Sequence, residues 1–211
     1  MNAFQGSRPE LGSKMRSSRD DILATLRRNA PPAAAAPDLA GLGITFADPL
    51  AQLAQSVVAV GGACLRVADL AAAANAVAAL PQVAAAKKVV SLVPGVGQPS
   101  VDLAAVADPH ALDDLDLAIL PGQLAVAENA AVWVDGSVLH HRAVFVITDH
   151  LVLVVHANDV VHHMHQAYER LAGRPRGYGL FISGPSKTAD IEQVLVMGAQ
   201  GARTCTVVVV G

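Results

Sequence analysis

Apolar residues recur along this chain with two different periods, and the changes of period mark its elements. Over residues 17–28 the spacing is helical. Ile22, Leu23 and Leu26 form a stripe, Ser17 or Ser18 stands before it as a cap, Asp20 and Asp21 fall in the first turn, and Arg27 and Arg28 close the last. Acids at the start and bases at the end suit the helix dipole, so a short amphipathic helix is predicted. The run Pro31-Pro32-Ala33-Ala34-Ala35-Ala36-Pro37 cannot continue it, because proline lacks the backbone donor and its ring clashes with the preceding turn. It reads as an extended linker.

Beyond residue 40 helical and strand-like stretches alternate, the pattern of a sheet covered by helices. Helices are predicted at 50–59, at 70–80 after the capping Asp69, at 160–172 and at 189–197. Strands are predicted at 63–67, 87–93, 115–120, 130–134, 143–148, 151–155, 178–183 and 204–210. The last is an unbroken Thr/Cys/Val run, Thr204-Cys205-Thr206-Val207-Val208-Val209-Val210, which suits a parallel strand buried on both faces. The division predicted is a disordered lead at 1–16, an N-terminal helix at 17–30, a Pro/Ala-rich linker at 31–40 and an α/β domain at 41–211. Residues 1–14 carry no structural pattern, which makes Met15 the expected start.

Composition narrows the partners. With 53% hydrophobic and only 16% charged residues the chain can build a sizeable core, and no apolar run reaches the length of a membrane span. A formal charge of −3 offers no footprint for nucleic acid. Cys64 and Cys205 are the only cysteines, too few for a disulfide framework or for the four thiolates that usually hold an iron–sulfur cluster. The expectation is a cytoplasmic protein, with neither metal nor cofactor bound by this chain alone.

Chemistry concentrates in two stretches. Phe181-Ile182-Ser183-Gly184-Pro185-Ser186-Lys187-Thr188-Ala189 reads as strand, tight loop and helix start. Hydroxyls of Ser183, Ser186 and Thr188, amides including that of Gly184, and the Lys187 ammonium would then face an anion at a helix N-terminus, a cradle for a small carboxylate or phosphate. Helix capping by the same hydroxyls is the competing reading. Glu128 and Asn129 stand just before an apolar strand, where Glu128 could serve as base, nucleophile or ligand holder, or simply as a solvated turn residue. On a helix at 160–172, His162, His165 and Glu169 would share one face, as zinc ligands or as a polar surface. His140-His141 falls in a turn.

The run from Ile182 to Glu192, followed by Gly198-Ala199-Gln200-Gly201-Ala202-Arg203 and the apolar terminal strand, resembles the lactate utilization protein C family, the LUD domain. The resemblance extends to Ala127-Glu128-Asn129 and to the opening helix. Lys187 stands where arginine is common, Glu128-Asn129-Ala130-Ala131 where an acidic residue is usually followed by Thr-Gly-Thr, and Gln200-Gly201-Ala202 where His-Gly-Pro is usual. The family implies an α/β fold like that of the NagB/RpiA/CoA transferase-like proteins. It also implies a role in oxidising L-lactate to pyruvate beside iron–sulfur partner proteins. A stand-alone CoA-transferase- or isomerase-like enzyme using Glu128, and a non-catalytic scaffold, are the alternatives.

Overall fold

The computed structural model describes residues 17–35, 37–38, 41–173, 177–189 and 194–211. They fall into two units, divided after residue 39. The expected lead at 1–16 lies outside the described residues.

In the first unit, α1 (Ser18–Arg28) begins at a capping box. Ser17 Oγ accepts from the Asp20 amide, and the Asp20 carboxylate accepts from the Ser17 amide. Two of the donors that a helix start leaves unpaired are thereby satisfied. None of its residues is buried, and Ile22 and Leu26 are exposed.

The second unit is an α/β fold around a five-stranded parallel sheet. Its strands are β1 (Ala63–Val67), β2 (Val89–Ser91), β3 (Leu117–Pro121), β6 (His150–His156) and β11 (Thr204–Val210), in the order β1-β11-β6-β3-β2. The chain starts at one edge, crosses to the other through α3 (Leu70–Ala78) and α4 (Pro81–Ala85), and then returns strand by strand. Between β3 and β6 it builds β4 (Leu124–Val126) and β5 (Val132–Asp135). With β7 (Val160–Val161) and β8 (Gly179–Ile182) these form a second sheet of four strands in the order β7-β4-β5-β8.

Alternation explains the unbroken apolar strands. Cys205, Val207 and Val209 of β11, Leu151, Leu153 and Val155 of β6, and Ala118 and Leu120 of β3 enter one core, with Leu53 and Val57 of α2 (Pro49–Ala59) and Val132 of the second sheet. The intervening Val208, Val210, Val152, Val154, Leu117 and Ile119 enter another, against Ala73 and Val77 of α3. Each strand therefore buries both faces, and only a sequence apolar at every position meets that demand. A small third core, Leu124, Val126, Ala131 and Val161 with Ala167, lies under α6 (Met164–Leu171).

Three expectations are corrected. Residues 143–148 carry the β-branched run of a strand, yet Val144–Ile147 is a short helix, α5, with Val144 and Phe145 buried and Val146 exposed. The place in the sheet beside β3 is taken by β6, so packing overrides propensity. The helix predicted from 160 starts only at Met164, because Val160 and Val161 pair in parallel with Ala125 and Val126 of β4. The described ends of the helix predicted at 189–197 are extended. Val196–Met197, β10, pairs antiparallel with Lys187–Thr188, β9, while residues 190–193 lie outside the described residues.

Candidate functional site

The stretch from Ser183 to Thr188 follows β8, a strand of the second sheet, and lies at the amino ends of the parallel strands. The Ser186 amide donates to Ala202 O at 2.8 Å, and the Arg203 amide donates to Asp149 O at 2.8 Å, just where β11 and β6 begin. Ligands of parallel sheets bind beyond the opposite, carboxyl ends. The loop's polar groups are also engaged within the fold. Ser183 Oγ donates to Asn129 O at 2.6 Å, and Ser186 O accepts from the Gly198 amide at 2.9 Å. Gly184, at φ +72°, approaches the Val60 carbonyl so closely that a Cβ would lie 2.8 Å from it.

Lys187 reaches the end of α2. That helix closes with the Gly61 amide donating to Val58 O and the Gly62 amide to Val57 O, both at 2.8 Å, with Gly61 at φ +82°. This is a Schellman ending, for which glycine is the residue of least strain. A Cβ on Gly61 would lie 3.1 Å from Lys187 Nζ, so the ammonium sits where the helix dipole is negative. The geometry gives Lys187 this electrostatic work whether or not an anion also meets it.

Glu128 and Asn129 form the tip of the β4–β5 hairpin, closed by the Val126 amide donating to Ala131 O at 2.8 Å. Asn129 Oδ1 accepts from the Ala131 amide at 3.1 Å, while Glu128 Oε1 accepts from the Met164 amide, the first of α6, at 2.7 Å. Beneath them Ser56 Oγ, buried, donates to Ala127 O at 2.7 Å and ties the hairpin to α2. The structure thus joins Glu128, Asn129 and Ser183 at one end of the second sheet, with Lys187 over the adjoining helix end. Gly184 and Ser186 belong to the loop between β8 and β9, and Thr188 to β9 itself.

The expected histidine face does not form, because His162 and His163 precede α6. His162 Nδ1 accepts from the Phe46 amide at 3.0 Å and its ring stacks on Phe46, while His163 caps α6 by accepting from the Gln166 amide. Only His165 and Glu169 are helical. Among the described residues no three His, Cys, Asp or Glu side chains are grouped to hold a metal ion. Cys64 on β1 and Cys205 on β11 are free thiols. Burial raises both, Cys205 to about 12, and two such groups do not fit an iron–sulfur cluster.

Alongside β2 lies a cavity of about 590 Å³ that sequence reading missed. Its walls come from β2, from residues 99–104 and from His140. Pro94-Gly95-Val96-Gly97 follows β2 and carries the turn. Gly95 and Gly97 both have φ near +76°, at +77° and +75°, and they turn the chain beneath a second cavity of about 250 Å³ that shares Ser91, Leu92 and Pro99 with the first.

No curated protein matches the sequence. A crystal structure of a DUF162 family protein from Deinococcus radiodurans aligns with a TM-score of 0.55 at 21% identity, covering 80% of this chain and 99% of that one. At that identity the likeness shows the fold. The family model of the LUD domain matches residues 106–210, from the approach to β3 through the last residue of β11. Residues 106–210, just under half of the chain, belong to the LUD domain family.

Proposed function

We propose that this protein is a subunit of an L-lactate utilization assembly, supporting oxidation of L-lactate to pyruvate together with iron–sulfur partner proteins in the cytoplasm. The observation that carries the reading is the LUD domain at residues 106–210, a family associated with lactate utilization. The cysteine chemistry agrees with a division of labour. Oxidising a hydroxy acid releases two electrons, and two separate thiols, one pushed up to about 12, cannot form a redox chain. The electrons would pass to partners that carry clusters. Among the described residues no helix is long and apolar enough to cross a membrane.

The test uses the full chain, affinity-tagged, in its native cells grown on L-lactate. Iron–sulfur proteins should be recovered with it and identified by mass spectrometry, and the recovered assembly should reduce a dye only when L-lactate is added. Capture of no iron–sulfur protein, or dye reduction that persists at full rate after this chain is removed, would overturn the reading. The stand-alone enzyme reading has its own check. Glu128 should be trapped covalently after incubation with an acyl-CoA, although its carboxylate is already bonded to the start of α6.

A further inference from the structure

We propose that α1 associates with the α1 of a second copy of this chain as an antiparallel helix pair. The starting observation is an uncovered apolar stripe. Ile22 and Leu26 are 60% and 61% exposed, and none of the eleven residues of Ser18–Arg28 is buried. An isolated helix of this length is marginal in water, because nucleation is costly and few hydrogen bonds repay it. The capping box closes the first turn, but the stripe adds stability only when another surface takes it out of water. Residues 30–35 and 37–38, which follow α1, are in neither helix nor strand, and their proline and alanine content makes the segment a spacer.

The charges choose the occupant. Asp20, Leu23 and Arg27 are spaced by three and then four residues, so they form one column on the helix, with Leu23 in the stripe and the two charges flanking it. The acid stands at the start of the column and the base at its end. When a second α1 is laid alongside in the opposite direction, centred near Leu23, Asp20 of each copy faces Arg27 of the other. Ile22, Leu23 and Leu26 of the two copies then close on one another. A parallel pair would set acid on acid and base on base. The antiparallel contact is isologous, so one patch serves both copies and the two-fold axis repeats the ion pair. The Asp20 carboxylate can serve it, since the capping box uses only Oδ2, which accepts from the Ser17 amide and hydroxyl. Arg28, by contrast, donates to Thr25 Oγ of its own helix at 3.2 Å. A membrane surface fits less well, because it calls for bases along the whole polar face and the first turn here is acidic. Two helices of eleven residues cover less than the roughly 1,200 Å² of a standard stable interface, so the pair is weak and dependent on concentration.

Sedimentation velocity of the full chain over a rising concentration series tests this. The wild type should shift reversibly from monomer toward dimer, and less so in high salt. Leu26→Ser, which interrupts the stripe, should hold the chain monomeric across the series. Arg27→Asp sets acid against acid and Asp20→Arg sets base against base, so each variant alone should self-associate about fivefold more weakly, the worth of two exposed ion pairs. Mixed in equal amounts, the two variants regain complementary columns, and the mixture should associate more strongly than either component. Loss of the helix in one variant is not mended by mixing, so recovery separates pairing from folding. A monomer at every concentration, a dimer that Leu26→Ser leaves intact, or a mixture no stronger than its components would overturn the proposal. A monomer whose melting temperature falls on Leu26→Ser would give the stripe an occupant within its own chain, and would overturn it equally.

Discussion

At Ala130 the backbone takes φ +60° while the methyl group is fully buried. A left-handed conformation costs a residue with a Cβ about 1–2 kcal/mol, and glycine escapes that cost. Ala125 is equally buried but sits in β4 with ordinary strand geometry. Changing either alanine to glycine loses a buried methyl and adds chain entropy to the unfolded state, and only at 130 is strain relieved in return. Chemical denaturation should therefore find Ala130→Gly more stable than Ala125→Gly by about 1–2 kcal/mol. Equal losses would show that the turn stores no strain.

At the scale of elements, the end of α2 is held from two directions. Its last turn is closed by Gly61 and Gly62 and faced by Lys187, and its middle is pinned by the Ser56 hydroxyl on Ala127 O. Ser56→Ala leaves a buried carbonyl without that donor and should cost about 1–3 kcal/mol. Lys187→Ala removes only a charge near a helix end, and about 0.3–1 kcal/mol should be lost, less in high salt. The same Lys187→Ala protein, titrated with phosphate, L-lactate and pyruvate, separates helix support from anion binding. Unchanged affinity beside reduced stability leaves the lysine its structural work alone.

For the whole molecule, the response to pH follows from groups whose protonation differs between the folded and unfolded chain. Burial pushes the Cys205 thiol up to about 12, whereas an exposed thiol titrates near about 8.5. Above that lower value the unfolded chain loses a proton that the folded one keeps, so stability falls as pH rises through the window between the two, by about 1.4 kcal/mol per pH unit from this group. Cys64, raised by its own burial, acts in the same direction. Denaturation at pH 8, 9 and 10 should show this decline, and Cys205→Ala should show a shallower one. At the acid end, the Lys88 and Lys87 amides both donate to the Asp116 carboxylate at 2.8 Å and hold it below its usual range. Its contribution is present above the unfolded value of about 3.9 and is lost as pH falls through the lower folded value. Asp116→Asn should flatten that acid limb.

The sequence by itself determined the elements whose pattern admits one reading. Ala63–Val67 and Thr204–Val210 are strands over the ranges that composition marked, and α1 is capped by the serine and aspartates that announce it. Asp69 and Gly61 likewise start and stop their helices by local chemistry alone. Tertiary structure decided what depends on neighbours in space. Whether residues 143–148 extend or coil depended on β6 having taken the adjacent place, and whether Val160 and Val161 begin a helix depended on β4, three residues long and without a pattern of its own. The candidate site was legible as residues and illegible as a place. Glu128 and Asn129 meet Ser183 only because β5 pairs with β8, Val132 opposite Ile182, a pairing between segments some fifty residues apart that no local pattern announces. The cavity at β2 is shaped by segments as far apart as residues 90 and 140, and a concavity lined by such distant residues has no signature along the chain.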